Sequence, residues 1–593
     1  MQKAWRIKTN KAKGNIFSGL KDVATAILKN RGVKTREEIE EIFLPEYIKH
    51  LHDPFLMKDM DKGVVRILKA IKNKENILIF GDYDADGVPA SAVLAEFFRQ
   101  ISYENFSVYI PHRHNEQYGL SVMAVEKFKT DGVQLIITVD CGISNLTEIK
   151  RAGELGIEVV VTDHHLPPAK LPKAIAVIDP KRKDCQYPYK HLCGTGVAFK
   201  LVQALIARGN FAEIRVGWEK WLLELVAIAT VADMVSMTGE NKTMTKFGLM
   251  VLRMTHRLGL LELFRVLKLK REYINEEDIG FMIGPRINSA GRMSHAMEAF
   301  NLLLTTKEAE ARQITADLEG RNQERRSQVI DILALAEKKY IGQDWPEVLV
   351  IGDEDWGLGV LGLAAARISE KYGRTVFVWA KNGNGEIKGS CRSDGQVNVV
   401  ELMSLANKPA GHKLKGQAGR SKFFRDFGGH AFAGGFSLPA VNLAKLENKL
   451  LEAYKKTNKT VVVEEEEADM KISLSDIDWA LQKEIEKIGP YGLDFPKPVF
   501  WLENLAIVSA KAFGKTGGHV EIIFKDDDDN KISAIAFFAC DAGTDLVYDA
   551  GHIWTGVNLA PGRRVELLAN VEKSTFKNRP ELRLRIVDLR QSI

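Results

Sequence analysis

Between about residues 75 and 240, short apolar runs alternate with amphipathic stretches of helical period. NILIF (76–80), FSVYI (106–110), QLIITVD (134–140), EVVVTD (158–163) and AIAVID (174–179) have the length and β-branched content of strands. Between them, SAVLAEFFRQI and LTEIKRAGELG carry apolar residues at helical spacing. Runs that are apolar throughout belong to strands buried on both faces, so the pattern predicts a parallel sheet covered by helices on each side. Such a sheet places its ligand site beyond the carboxyl ends of its strands.

The flanking regions read differently. Residues 1–70 are expected to form a helical lead-in, with Thr35 and Glu38 spaced as a capping box. The segment 305–342 is charged and helical in period, as a long helix connecting two domains would be. Residues 343–460 hold a second strand set, EVLVIGD (347–353), RTVFVWA (374–380) and EIKGSCRS (386–393), closed by the glycine-rich FGGHAFAGGFSL (427–438). From 461 to 593, short strands separated by polar turns such as KDDDDNK predict a small OB-like β-barrel. The expected architecture is a multidomain α/β protein: a parallel-sheet domain over 71–304, the connecting helix, a second, smaller α/β domain and the barrel. There is no internal repeat.

Composition narrows the class. A chain of 593 residues exceeds a single core. Its 45% hydrophobic and 27% charged content is that of soluble globular proteins, and a net charge of +5 permits a polyanionic partner without requiring one. The five cysteines are scattered and without CxxC spacing, which argues against a disulfide framework or zinc ribbon and for a reducing compartment. The N-terminal MQKAWRIKTNKAKG has no apolar signal core, and no run approaches ~18 apolar residues. A cytoplasmic chain without membrane association is expected.

The chemistry concentrates where the strands end. GDYDADG follows NILIF and places Asp82, Asp84 and Asp86 at alternate positions. Asp140 ends the run QLIITVD, and Asp163, His164 and His165 follow EVVV. Asp233 stands out as one carboxylate in the apolar LLELVAIATVADMV. Like charges repel and resist desolvation, so gathering them at one sheet edge is unfavourable unless cations sit among them. Carboxylates with one or two imidazoles suit Mn²⁺, with Mg²⁺ as an alternative, and their number suits two ions ~3.5–4 Å apart. An EF-hand is excluded, because Glu96, ten residues after Asp86, lies in a helical pattern. Cys141 and Ser144 are expected to be structural, since a two-metal hydrolysis needs no side-chain nucleophile.

In order, DYDADG, VDCG, TDHH and VADMV resemble the motifs of the DHH phosphoesterase superfamily. NRGVKTREEIEEIFLPEY, PYKHLCGTGVAFKL, FMIGPRINSAGRMSHA, the GGHAFAGG segment and IGPYGLDFPKPVF are further similar to the RecJ single-strand-specific DNA exonucleases within it. The resemblance runs from near residue 30 to the C-terminus. It implies a DHH catalytic domain, a DHH-associated domain and an OB-like nucleic-acid-binding domain, in a metal-dependent 5′-to-3′ exodeoxyribonuclease of recombination and repair.

By that resemblance Asp82, Asp84, Asp86, Asp140, His164 and Asp233 hold two Mn²⁺ or Mg²⁺ ions, with Asp140 bridging. His165 faces the scissile phosphate and Asp163 orients its neighbours. Arg113, Arg286, Asn288, Arg292, Ser390, Arg392 and His430 are candidates for a phosphate pocket, because guanidinium forks grip phosphate. Arg583 and Arg585 alternate with aliphatic residues in PELRLRIVDLR, which predicts a basic strand face along which a single strand could track. The resemblance also implies a single-strand-binding protein and a RecQ-type helicase as partners, and a monomer is expected. Two features depart from the family pattern: Gly357 follows Trp356 where histidine is usual, and the basic segment 408–424 is longer than usual. Competing readings are a phosphodiesterase of short oligonucleotides or cyclic dinucleotides, and a catalytically inactive replication scaffold. The barrel's presence counts against the first and the intact motifs against the second.

Overall fold

The computed structural model describes all residues except 1–3, 9–22, 114–115, 117, 341–343, 383–384, 408–422, 458–464, 515–517, 538, 540–553, 555–556, 575–578 and 593. Most of the basic segment 408–424 therefore lies outside the described residues. The chain folds into two units, one of Pro54–Asp233 with Met250–Val462 and one of Met1–Asp53, Met234–Leu249 and Val463–Ile593.

The first unit holds the predicted parallel sheet, five strands in the order Phe106–Tyr109, Ile77–Gly81, Leu135–Val139, Glu158–Thr162 and Ala176–Ile178. Alternate residues serve opposite faces. Leu78, Phe80, Ile136, Val159 and Val161 join Ala124, Val125, Phe128, Ile149 and Ala152 of the helices Val122–Thr130 and Leu146–Glu154 in one core. On the other face Val160 and Ile178 pack beneath Gly63 of the helix Met60–Asn73. Both sides of every central strand are thus buried, which is why these strands are apolar throughout.

The charged segment after this domain forms one helix, Glu308–Tyr340, of 33 residues. Its C-terminal half buries Val329, Ile332, Ala336 and Tyr340 against a second, mixed five-stranded sheet, ordered Asp426–His430, Ala433–Leu438, Ile387–Arg392, Thr375–Lys381 and Val348–Gly352. In the other unit, Phe500–Phe513, His519–Lys525, Lys531–Ala536, Glu581–Gln591 and Arg564–Ser574 pair in sequence, and the last returns to pair with the first. This is the expected barrel, closed on five strands.

The stretch 1–70 is divided between the units. The strand Ala4–Ile7 pairs in parallel with Glu465–Ala468, and Thr35 and Glu38 form the capping box of the helix Arg36–Phe43. Residues from Pro54 onward belong with the parallel sheet. No helix among the described residues is long and apolar enough to cross a membrane.

Candidate metal centre

Each acidic motif emerges where its strand stops. The strand Ile77–Gly81 delivers Asp82, Leu135–Val139 delivers Asp140, and Glu158–Thr162 delivers Asp163, His164 and His165. Asp233 does not lie within the apolar helix, as its sequence context suggested, but caps the C-terminus of Leu223–Ala232. Ligand atoms of Asp82, Asp84 and Asp140 lie within 4.8 Å of one another, as do those of Asp86, His164 and Asp233, and those of Asp140, His164 and His165. Asp140 and His164 each belong to two of these sets. His164 Nε2 stands 3.1 Å from Asp140 Oδ1, 3.7 Å from Asp86 Oδ2 and 3.8 Å from Asp233 Oδ2.

Surrounding hydrogen bonds fix these side chains. Asp84 Oδ1 accepts the amides of Asp86 and Gly87 at 2.9 and 3.1 Å, which shapes the loop. Asp86 accepts the amides of Gly194 and Thr195 at 2.6 and 2.7 Å, at the start of the helix Gly194–Gly209, where the helix dipole favours a carboxylate. His164 Nδ1 donates to the Leu192 carbonyl at 3.1 Å, which leaves the Nε2 lone pair for the carboxylate side. Asp163 accepts the amides of Ile143, His164 and His165 and the His165 ring, whose Nδ1 is 2.7 Å away. Burial opposes its ionisation, but the His165 hydrogen bond and charge and these amides hold it below the usual carboxylate range.

The other carboxylates behave oppositely. Burial first, then the charge of Asp84, pushes Asp82 well above the ordinary range, and burial with Asp86, Asp84, Asp82 and Asp163 does the same to Asp140. Asp233 is pushed up to about 8 by burial, Asp86 and Asp84. Burial also lowers His164, against the charge of Asp86, so its imidazole is neutral and fit to be a ligand. Asp82 Oδ1 and Asp140 Oδ1 are buried without a hydrogen-bond partner. Buried acceptors without donors, repelling neighbours and a neutral imidazole are what divalent cations would satisfy, so the residues present fit the two-ion expectation.

Two backbone details bear on Asp140. Its φ of +60° is left-handed, a conformation tolerated by aspartate and asparagine and costly for most other residues. A methyl group on Gly194 would lie 2.5 Å from both Cβ and Oδ1 of Asp140, so only glycine fits there. Replacing Gly194 by alanine is expected to push Asp140 aside and lower turnover roughly tenfold or more, since displacements near 1 Å are that costly. Steady-state rates across a Mn²⁺ titration, alongside circular dichroism, check this.

The phosphate candidates divide. The Arg113 guanidinium lies 4.8 Å from the Tyr83 ring centre, within the aspartate loop, and its charge favours ionised Asp82. Arg292 Nη1 donates to the Gly359 carbonyl at 3.2 Å. Ser390 and Arg392 lie on one strand beside Gly362, and His430 is exposed at the end of Asp426–His430. Arg286 is placed otherwise. Its buried guanidinium bonds Glu319 at 2.9 Å and the Met282 carbonyl at 3.1 Å, fastening its helix to Glu308–Tyr340. Asn288 Oδ1 accepts the Ala85 amide at 3.0 Å and so holds the aspartate loop.

In the barrel, Arg583 and Arg585 are not a freely solvated face. Both lie 3.5 Å from the carboxylate of buried Glu572. Cys141 is buried with its thiol toward the Phe80 carbonyl, as expected of a structural residue, and Ser144 is exposed.

One residue that the motifs did not single out is Asp179. It ends the strand run AIAVID as Asp140 ends its own, is fully buried, and is pushed up to about 7, chiefly by burial. Its position at a strand end was legible; its closeness to Asp163 and His165 was not.

Comparison with known proteins follows this geometry. The DHH family N-terminal domain matches residues 76–230, the DHHA1 domain 340–472 and the RecJ OB domain 468–588. The single-stranded-DNA-specific exonuclease RecJ of Bacillus subtilis is 32% identical over 572 residues, covering 95% of this chain and 67% of that protein. The Escherichia coli protein of that name is 33% identical over 493 residues, covering 79% and 81%. A crystal structure of RecJ from Thermus thermophilus in complex with Mn²⁺ superposes with a TM-score of 0.77 at 24% identity, covering 100% of this chain and 80% of that one. Another, of exonuclease RecJ bound to manganese, covers 68% and 95% with a TM-score of 0.57 at 29% identity. The chain belongs to the RecJ family of the DHH phosphoesterases.

Proposed function

We propose that this protein is a metal-dependent exonuclease that hydrolyses phosphodiester bonds of single-stranded DNA, in recombination and repair. The observation that carries the reading is the pair of orphaned, buried carboxylate oxygens on Asp82 and Asp140, within a set of acids that only cations reconcile. The RecJ relatives, named as single-stranded-DNA-specific exonucleases, supply the substrate class. A closed barrel and a complete acid set in one chain support this reading over a short-substrate phosphodiesterase or an inactive scaffold.

Asp82, Asp84 and Asp140 would hold one ion and Asp86, His164 and Asp233 the other, with Asp140 shared. Bound there, Mn²⁺ or Mg²⁺ supplies charge neutralisation at the phosphoryl oxygens and lowers the pKa of the attacking water. The chain's own side chains do the rest. Asp163 holds His165 by Nδ1, so the Nε2 edge is left to donate to a phosphate oxygen. Asp163 also raises His165 to about 9 against its burial, which keeps the ring protonated as such a donor. Arg113, Arg292 and Arg392 grip phosphate, with Ser390 and His430 beside them, and set the strand in register. The 5′-to-3′ direction, a monomeric state and association with a single-strand-binding protein and a RecQ-type helicase are carried over from the resemblance.

The test is digestion of end-labelled single- and double-stranded DNA, in both polarities, with Mn²⁺, Mg²⁺ or chelator. Shortening of single strands alone, from the 5′ end and only with metal, is expected. Metal-independent cleavage, or equal digestion of duplex, would overturn the reading. Metal binding should also be visible without turnover. At a hundredfold excess over Kd, Mn²⁺ stabilises the folded state by about 2.7 kcal/mol. The melting temperature of the unit with the parallel sheet should rise accordingly and fall back with chelator.

A further inference from the structure

The arginines around the long helix mostly have acids to match. Arg286 pairs with Glu319, Arg321 with Glu298 and Arg312 with Glu308. Arg325 is different. Its Nη2 donates to Asn322 Oδ1 at 2.8 Å, one turn back on the same helix, and its Nε is buried with no hydrogen-bond partner. Among the described residues, no ion pair joins it to a carboxylate.

Its surroundings are cationic. The turn 357–362 collects three elements. Arg292 donates to the Gly359 carbonyl. A methyl group on Gly362 would lie 3.4 Å from Arg392 Nη2 and 3.5 Å from Ser390 Oγ. One on Gly357 would lie 3.1 Å from Oε1 of Gln328, one turn beyond Arg325 on the long helix. Arg113 approaches from the Tyr83 side. The electrostatics agree with this convergence: burial first, then the charges of Arg113, Arg325 and Arg392, bring Arg292 down to about 10, with Asp84 opposing. Burial and three neighbouring arginines, Arg326, Arg286 and Arg367, also lower Arg325. A half-buried guanidinium such as that of Arg325, set among other cations and paired with no carboxylate among the described residues, is unfavourable until an anion joins it.

We propose that Arg325 is the fourth member of an arginine cradle, with Arg113, Arg292 and Arg392, that binds a phosphate group of the single strand from the long helix. Asn322 fixes the fork, and Nη1 is left for the phosphate oxygen. The proposal rests on the reading that the chain cleaves single-stranded DNA. The phosphate can be the terminal one or an internal one.

The experiment measures kcat and KM of the full chain with Mn²⁺ on oligo-dT carrying a 5′-phosphate, a 3′-phosphate or neither, over a range of salt. Arg325→Gln is expected to raise KM about tenfold, to leave kcat within twofold, and to flatten the slope of log affinity against log salt by ~0.7. Arg325→Lys should keep the slope but raise KM about threefold, since the fork is lost and the charge is not. Arg326→Gln, an exposed neighbour, should change neither. A KM effect confined to end-phosphorylated strands assigns the terminal phosphate, and an effect on all three an internal one. Unchanged KM and slope in Arg325→Gln with a parental melting temperature, or an equal effect in Arg326→Gln, would overturn the proposal. Should Arg325→Gln melt early, Arg325→Lys decides, and a parental KM in that variant overturns it. A parent chain that leaves all three strands uncut sinks the underlying reading rather than this contact.

Discussion

Replacing Asp140 by asparagine is expected to abolish hydrolysis, by roughly a thousandfold or more, because it removes the carboxylate that we propose both ions share. Asparagine is the informative substitution. It is isosteric, and it tolerates the left-handed backbone at this position, where alanine would add strain of its own. The fold should survive and even gain. Asp140 and Asp82 have folded pKa values well above those of an unfolded chain, and Asp233 about 8, so each binds its proton more tightly when folded. The stability they contribute is therefore fully present below the unfolded carboxylate pKa near ~4. It is lost as pH rises through the folded values, up to and beyond about 8 for Asp233. In chelator, the parent should lose melting temperature steadily from pH 5 to pH 8, and Asp140→Asn should lose less. Melting curves across that range, set beside turnover at saturating Mn²⁺, check both halves. Near-normal turnover in the variant would end the shared-ligand assignment.

What the chain reveals before folding follows from how local each feature is. The parallel strands were legible because burial on two faces leaves no polar position to interrupt them, and the acids were legible because they stand where those strands stop. The pairing of Arg286 was not legible because its partner, Glu319, lies 33 residues away on another helix, where no periodicity connects them. Asn288 was likewise bound to the Ala85 amide across 203 residues of sequence. The amides of Gly194 and Thr195 on Asp86 were not legible, since that contact exists only once the helix Gly194–Gly209 abuts the aspartate loop. The lead-in 1–70 was drawn as one block because its helical pattern is continuous. That the strand Ala4–Ile7 pairs with Glu465–Ala468 is a matter of backbone hydrogen bonds, which side-chain pattern does not encode.

The barrel shows the same limit with a measurable consequence. Alternation correctly set Arg583 and Arg585 on one face of Glu581–Gln591, but alternation within a strand is silent about its neighbour. Register places Glu572 directly opposite Arg583, and Glu572 is only 7% exposed. Each arginine reaches one of its oxygens at 3.5 Å, and Lys497 stands 3.8 Å away. Arg583→Ala with Arg585→Ala therefore strips a buried carboxylate of two of the three cations that stand near it among the described residues. The expected cost is roughly 2–4 kcal/mol, toward the lower end because the arginines are themselves partly solvated. Denaturant unfolding of the unit containing the barrel reads it directly. Adding Glu572→Gln should recover most of the loss, since the neutral amide no longer needs a counter-charge. Only that triple variant, stable and lacking both guanidiniums, can then say whether they touch DNA. If they do, its binding to long poly-dT should show a salt slope shallower by roughly 1.4, two contacts at ~0.7 each. A stable triple variant with the parental slope would mean that Arg583 and Arg585 exist to neutralise Glu572, and that the strand follows some other face of the barrel.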